Sequence, residues 1–296
     1  MFRRLSTAYV PQPSTTDRLW RVMDLTKFRT LANGGLWLAR LDTFGTKYEG
    51  ALPEPNRLGL LEMLPESGVE WVKQQYDLAA LRSSASCWHM NDHDPSERLW
   101  REFDKGGDGL AVRTSASRLT TELAKTCHVN GDGPVLVGKV TYIDHAKDSI
   151  EDWNVFHATF AVRDKWSYQT ELRVLVHTHG TAAAPLRVGT GFFGPLVKAI
   201  DHGGAKSGLT EYTGGHADGK AIVFSVDPRA LILEIVPNPT TSRRTMCEIL
   251  CTAARARLVG RVRPRDPIDA AMKAAAWVLQ LSLFLDDSPW CDTDAV

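Results

Sequence analysis

The sequence predicts an α+β fold, with mixed or antiparallel sheets packed against helices and a helical extension at the C-terminal end. Two observations carry that prediction. Roughly eight strand-like runs and as many helix-like runs follow one another without regular βαβ alternation. Hydrophobic residues make up 43% of the 296, enough to bury a substantial core. The segmentation read from these runs is a flexible segment over 1–18, a single α+β domain over 19–264, and a C-terminal helix and tail over 265–296.

The ordered part opens with DRLWRVMDLTKFRTLANGGLWLARLD, which predicts a strand at Leu19 to Met23, Asp24 as a helix N-cap, a helix from Leu25, a stop at Asn33-Gly34 and a strand from Leu36. A loop rich in Gly and Pro, DTFGTKYEGALPEPNRLG, then leads into two helices ending near Ala80. SASCWHMN reads as a strand, and PSERLWREFDKGG as a helix stopped by its glycines. GLAVRT, VLVGKVTYI and SYQTELRVLV read as strands, with helical segments at SRLTTELAK and SIEDWNVFHATFAVRD. The stretch from His177 to Lys220 is loose and Gly-rich, a length that in a compact domain points to a functional or mobile loop. KAIVFSVD and LILEIV read as strands, followed by a helix from Thr241 and a last helix from Asp266, with Pro267 at its first position, to about Leu285.

Lys plus Arg equals Asp plus Glu at 35 each, so no global field favours nucleic acid or an anionic membrane. The N-terminal MFRRLSTAYVPQPSTT has no apolar core after its arginines, unlike a secretion signal or a membrane anchor. No run approaches the roughly 18 apolar residues of a spanning helix. Five scattered cysteines do not form a disulfide framework, which points to a reducing cytoplasm. Cys247 and Cys251 share one face of a helix and read as small core residues, because no further Cys or His pair completes a zinc set.

Several patterns bear on chemistry. CWHMNDH offers Cys87, His89 and His93 as soft ligands, with Asp92 or Asp94 nearby, the basis of a metal-dependent hydrolase reading. His177 and His179 share a strand face without a third ligand, and no GxSxG marks a serine hydrolase. GTGFFG, Gly189 to Gly194, lacks the strand, helix and acidic residue of a dinucleotide fingerprint. In LWRVM, alternation sets Arg21 beside Leu19 and Met23, where a guanidinium calls for an anionic partner. Ser84 and Ser86 share a strand face and suit a carboxylate. In KWSYQTELRVLV, read as one strand, Trp166, Tyr168, Thr170, Leu172, Val174 and Val176 fall on one side. Gln169, Glu171 and Arg173 fall on the other, which is either a wet face or the wall of a site built around a carboxylate.

The succession LWRVMDLTKFRTLANGGLWLARLD, KYEGALP, CWHMNDHDPSERLWREFDKGGDGLAVRTSASRL, VGKVTYID and VRDKWSYQTELRVLV resembles the ordered motifs of the bacterial domain-of-unknown-function family 2971, from about Leu19 to Val262. The chain departs from that family's pattern at Gln169, where an acidic residue is common, and before Tyr48-Glu49-Gly50, where Asp-Pro precedes Phe-Glu-Gly. A more distant similarity joins an Arg on an early strand, Ser-x-Ser on a middle strand and Gln-x-Glu on a later one: the Arg-Ser-Glu class of mono-ADP-ribosyltransferases. That resemblance implies NAD as substrate, a macromolecular acceptor, and a bacterial toxin or defence role with an antitoxin or immunity partner. It implies Glu171 as the carboxylate beside the ribose, Gln169 at the acceptor, Arg21 on the diphosphate or a ribose, and Ser84 or Ser86 orienting Glu171. Trp37, Tyr48 and Trp88 become candidates to stack on nicotinamide, or are core aromatics. Arg173 either keeps Glu171 ionised or pairs with it on a wet face.

A non-enzymatic protein- or nucleic-acid-binding module is the rival reading. It rests on SRRTMCEILCTAARARLVGRVRPR, with seven arginines between Arg243 and Arg265.

Overall fold

Strand β1 (Arg18–Met23) hands over to helix α1 (Leu25–Ala32) at Asp24, whose carboxylate accepts from the Lys27 backbone N–H and supplies one of the helix's missing N-terminal partners. Gly34 follows at φ +90, and a Cβ there would sit 3.2 Å from the Val226 carbonyl, so only glycine turns the chain cleanly into β2 (Gly35–Arg40). This is the opening the sequence predicts.

The computed structural model describes residues 10–45, 48–130, 135–150, 154–177, 210–211 and 221–286. The architecture is α+β, with a mostly antiparallel sheet packed against helices. Most of the Gly-rich 178–220 segment, including GTGFFG and His179, lies outside the described residues, as does Cys291. Among the described residues no helix is long and apolar enough to cross a membrane. The chain groups into two compact units.

The first unit takes the described residues of Met1–Thr15, Leu36–Met90 and Leu123–Phe224. Its helices α2 (Glu54–Leu61) and α3 (Glu66–Leu81) precede β3 (Ser83–Met90). Later come β5 (Val135–Lys139), β6 (Thr141–Ile143), the one-turn α6 (Val155–Ala158), β7 (Ala161–Arg163) and β8 (Glu171–His177). Strands β2, β3, β8 and β5 pair in that order, all antiparallel, while β6 and β7 pair in parallel. Strand β9 (Thr210–Glu211) pairs antiparallel with β10 (Ala221–Ser225). Ala85, Leu136 and Leu175 lie on one sheet face and join Tyr76, Ala79 and Ala80 of α3 with Phe156, Ala158 and Phe160 in one apolar cluster.

Four runs form differently from expectation. VLVGKVTYI breaks at Val140 into β5 and β6, because the Val140 N–H bonds the Glu171 carbonyl and the Thr141 N–H bonds the Phe160 carbonyl. The helix expected over SIEDWNVFHATFAVRD shrinks to α6, capped by Asn154, since Ala161–Arg163 pair with β6 instead. LILEIV forms a strand only over Glu234–Pro237 (β11), because Asp227 caps a short helix over Pro228–Leu231 (α7).

The fourth difference concerns KWSYQTELRVLV. Asp164–Gln169 is a 3₁₀ helix, Thr170 follows in the left-handed region at φ 41, and β8 begins at Glu171. A β-branched residue resists that conformation by about 1–2 kcal/mol. Hydrogen bonds to Met90 in both directions, Thr170 Oγ1 to its carbonyl at 2.7 Å and its N–H to the Thr170 carbonyl at 3.0 Å, hold it there. Gln169 is therefore buried ahead of the strand and shares no strand face with Glu171, and Trp166 and Tyr168 lie in the same 3₁₀ helix rather than on the strand.

Gly138 stands directly across from Arg173, where an added Cβ would fall 2.0 Å from Cγ1 of the buried Val10. Gly138→Ala is expected to lose about 1–3 kcal/mol in urea unfolding. The loss should shrink when Val10→Ala is present in the background; equal losses in both backgrounds would show that the close approach is not what matters.

The second unit takes the described residues of Thr16–Gly35, Asn91–Glu122 and Ser225–Val296. Strands β1, β4 (Leu110–Ser115) and β11 form an antiparallel set with β4 in the middle. Helix α4 (Glu97–Phe103), capped by Ser96, brings Trp100 to Trp20, Val22 and Ala111. Helix α5 (Ala116–Asn130) begins directly after β4. Helices α8 (Arg243–Arg255) and α9 (Pro267–Asp286) pack together, tied by the fully buried Asp269, which accepts from both Arg243 and Arg265.

Candidate functional site

Sheet register decides which side chains of the first unit meet. In the β3–β8 pair, Ala85 faces Leu175, Cys87 faces Arg173 and His89 faces Glu171. Residues directly opposite in an antiparallel pair share a face, so this row carries the apolar cluster at Leu175 and turns polar at Arg173 and Glu171. Ser84, Ser86 and Trp88 pair with Val176, Val174 and Leu172 and lie on the reverse face. The expected role of Ser84 or Ser86 in orienting Glu171 therefore fails, because a strand spacing of one residue turns a side chain to the other side of the sheet.

The β8 face is not wet either. Glu171 is 4% exposed and Arg173 1%, so the guanidinium is among the most enclosed groups of the unit. Arg173 Nε donates to Glu171 Oε1 at 2.7 Å, and Nη1 donates to Glu49 Oε2 at 2.9 Å and to the Thr159 carbonyl at 2.5 Å. The guanidinium also stands 5.6 Å from the Phe44 ring centroid. Tyr142 Oη accepts the Glu171 backbone N–H at 2.8 Å, and Cys87 lies on the same sheet face as Glu171. Buried His89 places Nδ1 3.1 Å from the Gln169 carbonyl; that oxygen only accepts, so Nδ1 carries the proton in this contact.

Charge counting explains the electrostatics. Burial opposes the Arg173 charge, but Glu171 and Glu49 outweigh it and hold its pKa well above the ordinary value. Two carboxylates share that one guanidinium, and Glu49 is the one left short: burial, followed by the like charge of Glu171, outweighs Arg173 and raises its pKa. Burial also pushes the Cys87 thiol well above its usual value, with the Glu171 carboxylate adding to it, which argues against a thiolate nucleophile. The Tyr142 hydroxyl is raised as well, chiefly by burial.

A raised carboxyl has a definite sign in stability. The folded protein keeps the Glu49 proton at pH values where the unfolded chain has released it, so stability falls as pH climbs from about 4.3 through the raised value. Glu49→Gln should flatten that decline in urea midpoints measured between pH 4 and pH 8. An unchanged slope would mean that the carboxyl is not perturbed.

Glu49, within Tyr48-Glu49-Gly50, is the member of this cluster that sequence reasoning misses. Gly50, at φ +74, would carry a Cβ 3.0 Å from Ala80 Cβ, so the glycine lets this loop lie against α3. The adjacent glycine was the available signal. Tyr48 is engaged beside it, 5.1 Å from the His145 ring and 4.6 Å from the Arg163 guanidinium. Trp37 is half-buried on β2, and Trp88 is fully buried, which makes it a core aromatic rather than a stacking platform.

Arg21 belongs to the second unit, half-buried on β1 across from Val112, with Leu19 and Met23 buried on its side of the strand. The cluster of the alternative metal-hydrolase reading does not assemble: His89 is engaged at Gln169, and among the described residues no group of three His, Cys, Asp or Glu side chains is placed to hold an ion. The basic run is largely neutralised. Arg243 and Arg265 bind Asp269, Arg263 binds Asp94 and Glu234, Arg244 binds Glu248, and Arg261 donates to the Ile232 carbonyl. A bare cationic patch for nucleic acid is not what these partners leave.

The chain matches no family model, no curated protein and no solved structure, so the geometry of Glu49, Glu171 and Arg173 is what speaks to function.

Proposed function

We propose that this chain is an NAD-consuming, ADP-ribosyltransferase-like enzyme acting on a macromolecular acceptor, with Glu171 as the fixed carboxylate and Glu49 as a second acid–base group. The single observation that carries the reading is the pair of carboxylates held on one buried guanidinium, one of them with its pKa raised. Cleaving the bond between nicotinamide and ribose builds positive charge on the ribose, and a preorganised carboxylate lowers that barrier. Glu171 meets the requirement of rigidity, being fixed through its backbone at Tyr142 and its side chain at Arg173.

The acceptor must lose a proton as it attacks. Gln169 has no basic group for this at neutral pH. A carboxyl with a raised pKa is suited to it, and Glu49 supplies one on the same guanidinium. Modification of a macromolecule by such chemistry fits a growth-arresting toxin or defence effector. The test is nicotinamide release from NAD by the purified chain, with calorimetric titration of NAD. Release that depends on Glu171 supports the reading. No NAD binding and no release would leave the cluster as a structural anchor, which the three protein acceptors of Arg173 also suit.

A further inference from the structure

Helix α8 buries Met246, Ile249, Leu250, Ala253 and Ala254, and this stripe leaves Cys247 exposed and Cys251 partly exposed. They are not the core pair that the sequence suggested. Residues four apart on a helix share a face, with Cβ atoms about 5–6 Å apart. That spacing sets both thiols side by side on one helix face. Arg255 lies one turn after Cys251, while Arg244, one turn before Cys247, is paired with Glu248.

We propose that Cys247 and Cys251 form a two-thiolate site for a soft monovalent cation of the copper(I) class. Three points of chemistry select this ligand. Structural zinc wants four donors, and among the described residues no group of three ligating side chains is placed to hold a metal, so the ion must be one satisfied by two sulfurs. Thiolate donors favour copper(I) over harder divalent ions. A bridging ion spans Cβ atoms about 5–6 Å apart. A disulfide, by contrast, needs them at about 3.5–4.5 Å and would distort the helix. Binding converts two thiols and one cation into a bis-thiolate complex of charge −1 and releases two protons, and Arg255, one turn along the helix, offsets part of that charge.

The experiment is an anaerobic titration of the full chain with copper(I) against a colorimetric copper(I) chelator. One equivalent should bind, and Cys247→Ser or Cys251→Ser should each weaken it at least about a hundredfold, the advantage of a second tethered donor. Cys87→Ser, Cys127→Ser and Cys291→Ser should bind as the parent does. In a parallel alkylation experiment read by mass spectrometry, copper(I) should protect Cys247 and Cys251. Equal affinity in the parent and Cys247→Ser, or loss and protection that follow Cys127 or Cys291, would overturn the site. The exposed positions make the serine variants tolerable for folding, and unchanged melting temperatures check that.

Discussion

Glu171→Gln is expected to cut nicotinamide release from NAD at least about a hundredfold, a loss of roughly 2.7 kcal/mol of transition-state stabilisation. The amide keeps the shape of the side chain and an oxygen that accepts from Arg173 Nε, but it removes the negative charge that the proposed reaction requires. The effect should fall on kcat with little change in KM, because the interaction strengthens only as the bond breaks. Folding should survive: one carboxylate, Glu49, then balances one guanidinium, so the charge count improves. The like-charge contribution to the Glu49 pKa also disappears, and its carboxyl should titrate lower than in the parent. Unchanged release in a folded Glu171→Gln protein would end the enzymatic reading.

Arg173→Met should lose about 3–5 kcal/mol of unfolding free energy, because the buried Glu49 and Glu171 then face each other without a cation. Part of that loss should return on acidification. With Arg173 gone the Glu49 carboxyl loses the cation that lowers it and rises further, the folded state holds its proton where the unfolded chain has released it, and stability therefore declines as pH rises. Adding Glu49→Gln and Glu171→Gln to Arg173→Met should recover much of the loss at pH 7, since no buried charge remains. Urea midpoints at pH 5 and pH 7 for the parent, Arg173→Met and the triple variant measure this. A loss below about 1 kcal/mol in Arg173→Met would show that the three side chains are not energetically coupled.

Local signals were legible where a single residue type does the work. Asp24 starts α1 because its side-chain oxygen reaches the Lys27 backbone N–H, and Gly34 ends α1 because its φ is positive. The carboxylate at 171 and its strand were also legible, since hydrophobic alternation survives from Leu172 to Val176. The two residues ahead of Glu171 were not. Alternation ran unbroken through Gln169 in the sequence, and only the pair of hydrogen bonds between Thr170 and Met90 turns the chain out of the strand there.

Composition and periodicity by themselves determined that the chain forms an α+β structure with buried strands, because those patterns express each residue's own preference for water or for its near neighbours. The tertiary structure alone decided which polar groups meet. Glu49 and Arg173 are 124 positions apart, and whether Cys87 or Ser86 shares the sheet face of Glu171 depends on a register that a one-residue slip would reverse. Register is set by the turns, by the packing of α3 and α6, and by the close approach of Val10 at Gly138, none of which is a property of β8 itself.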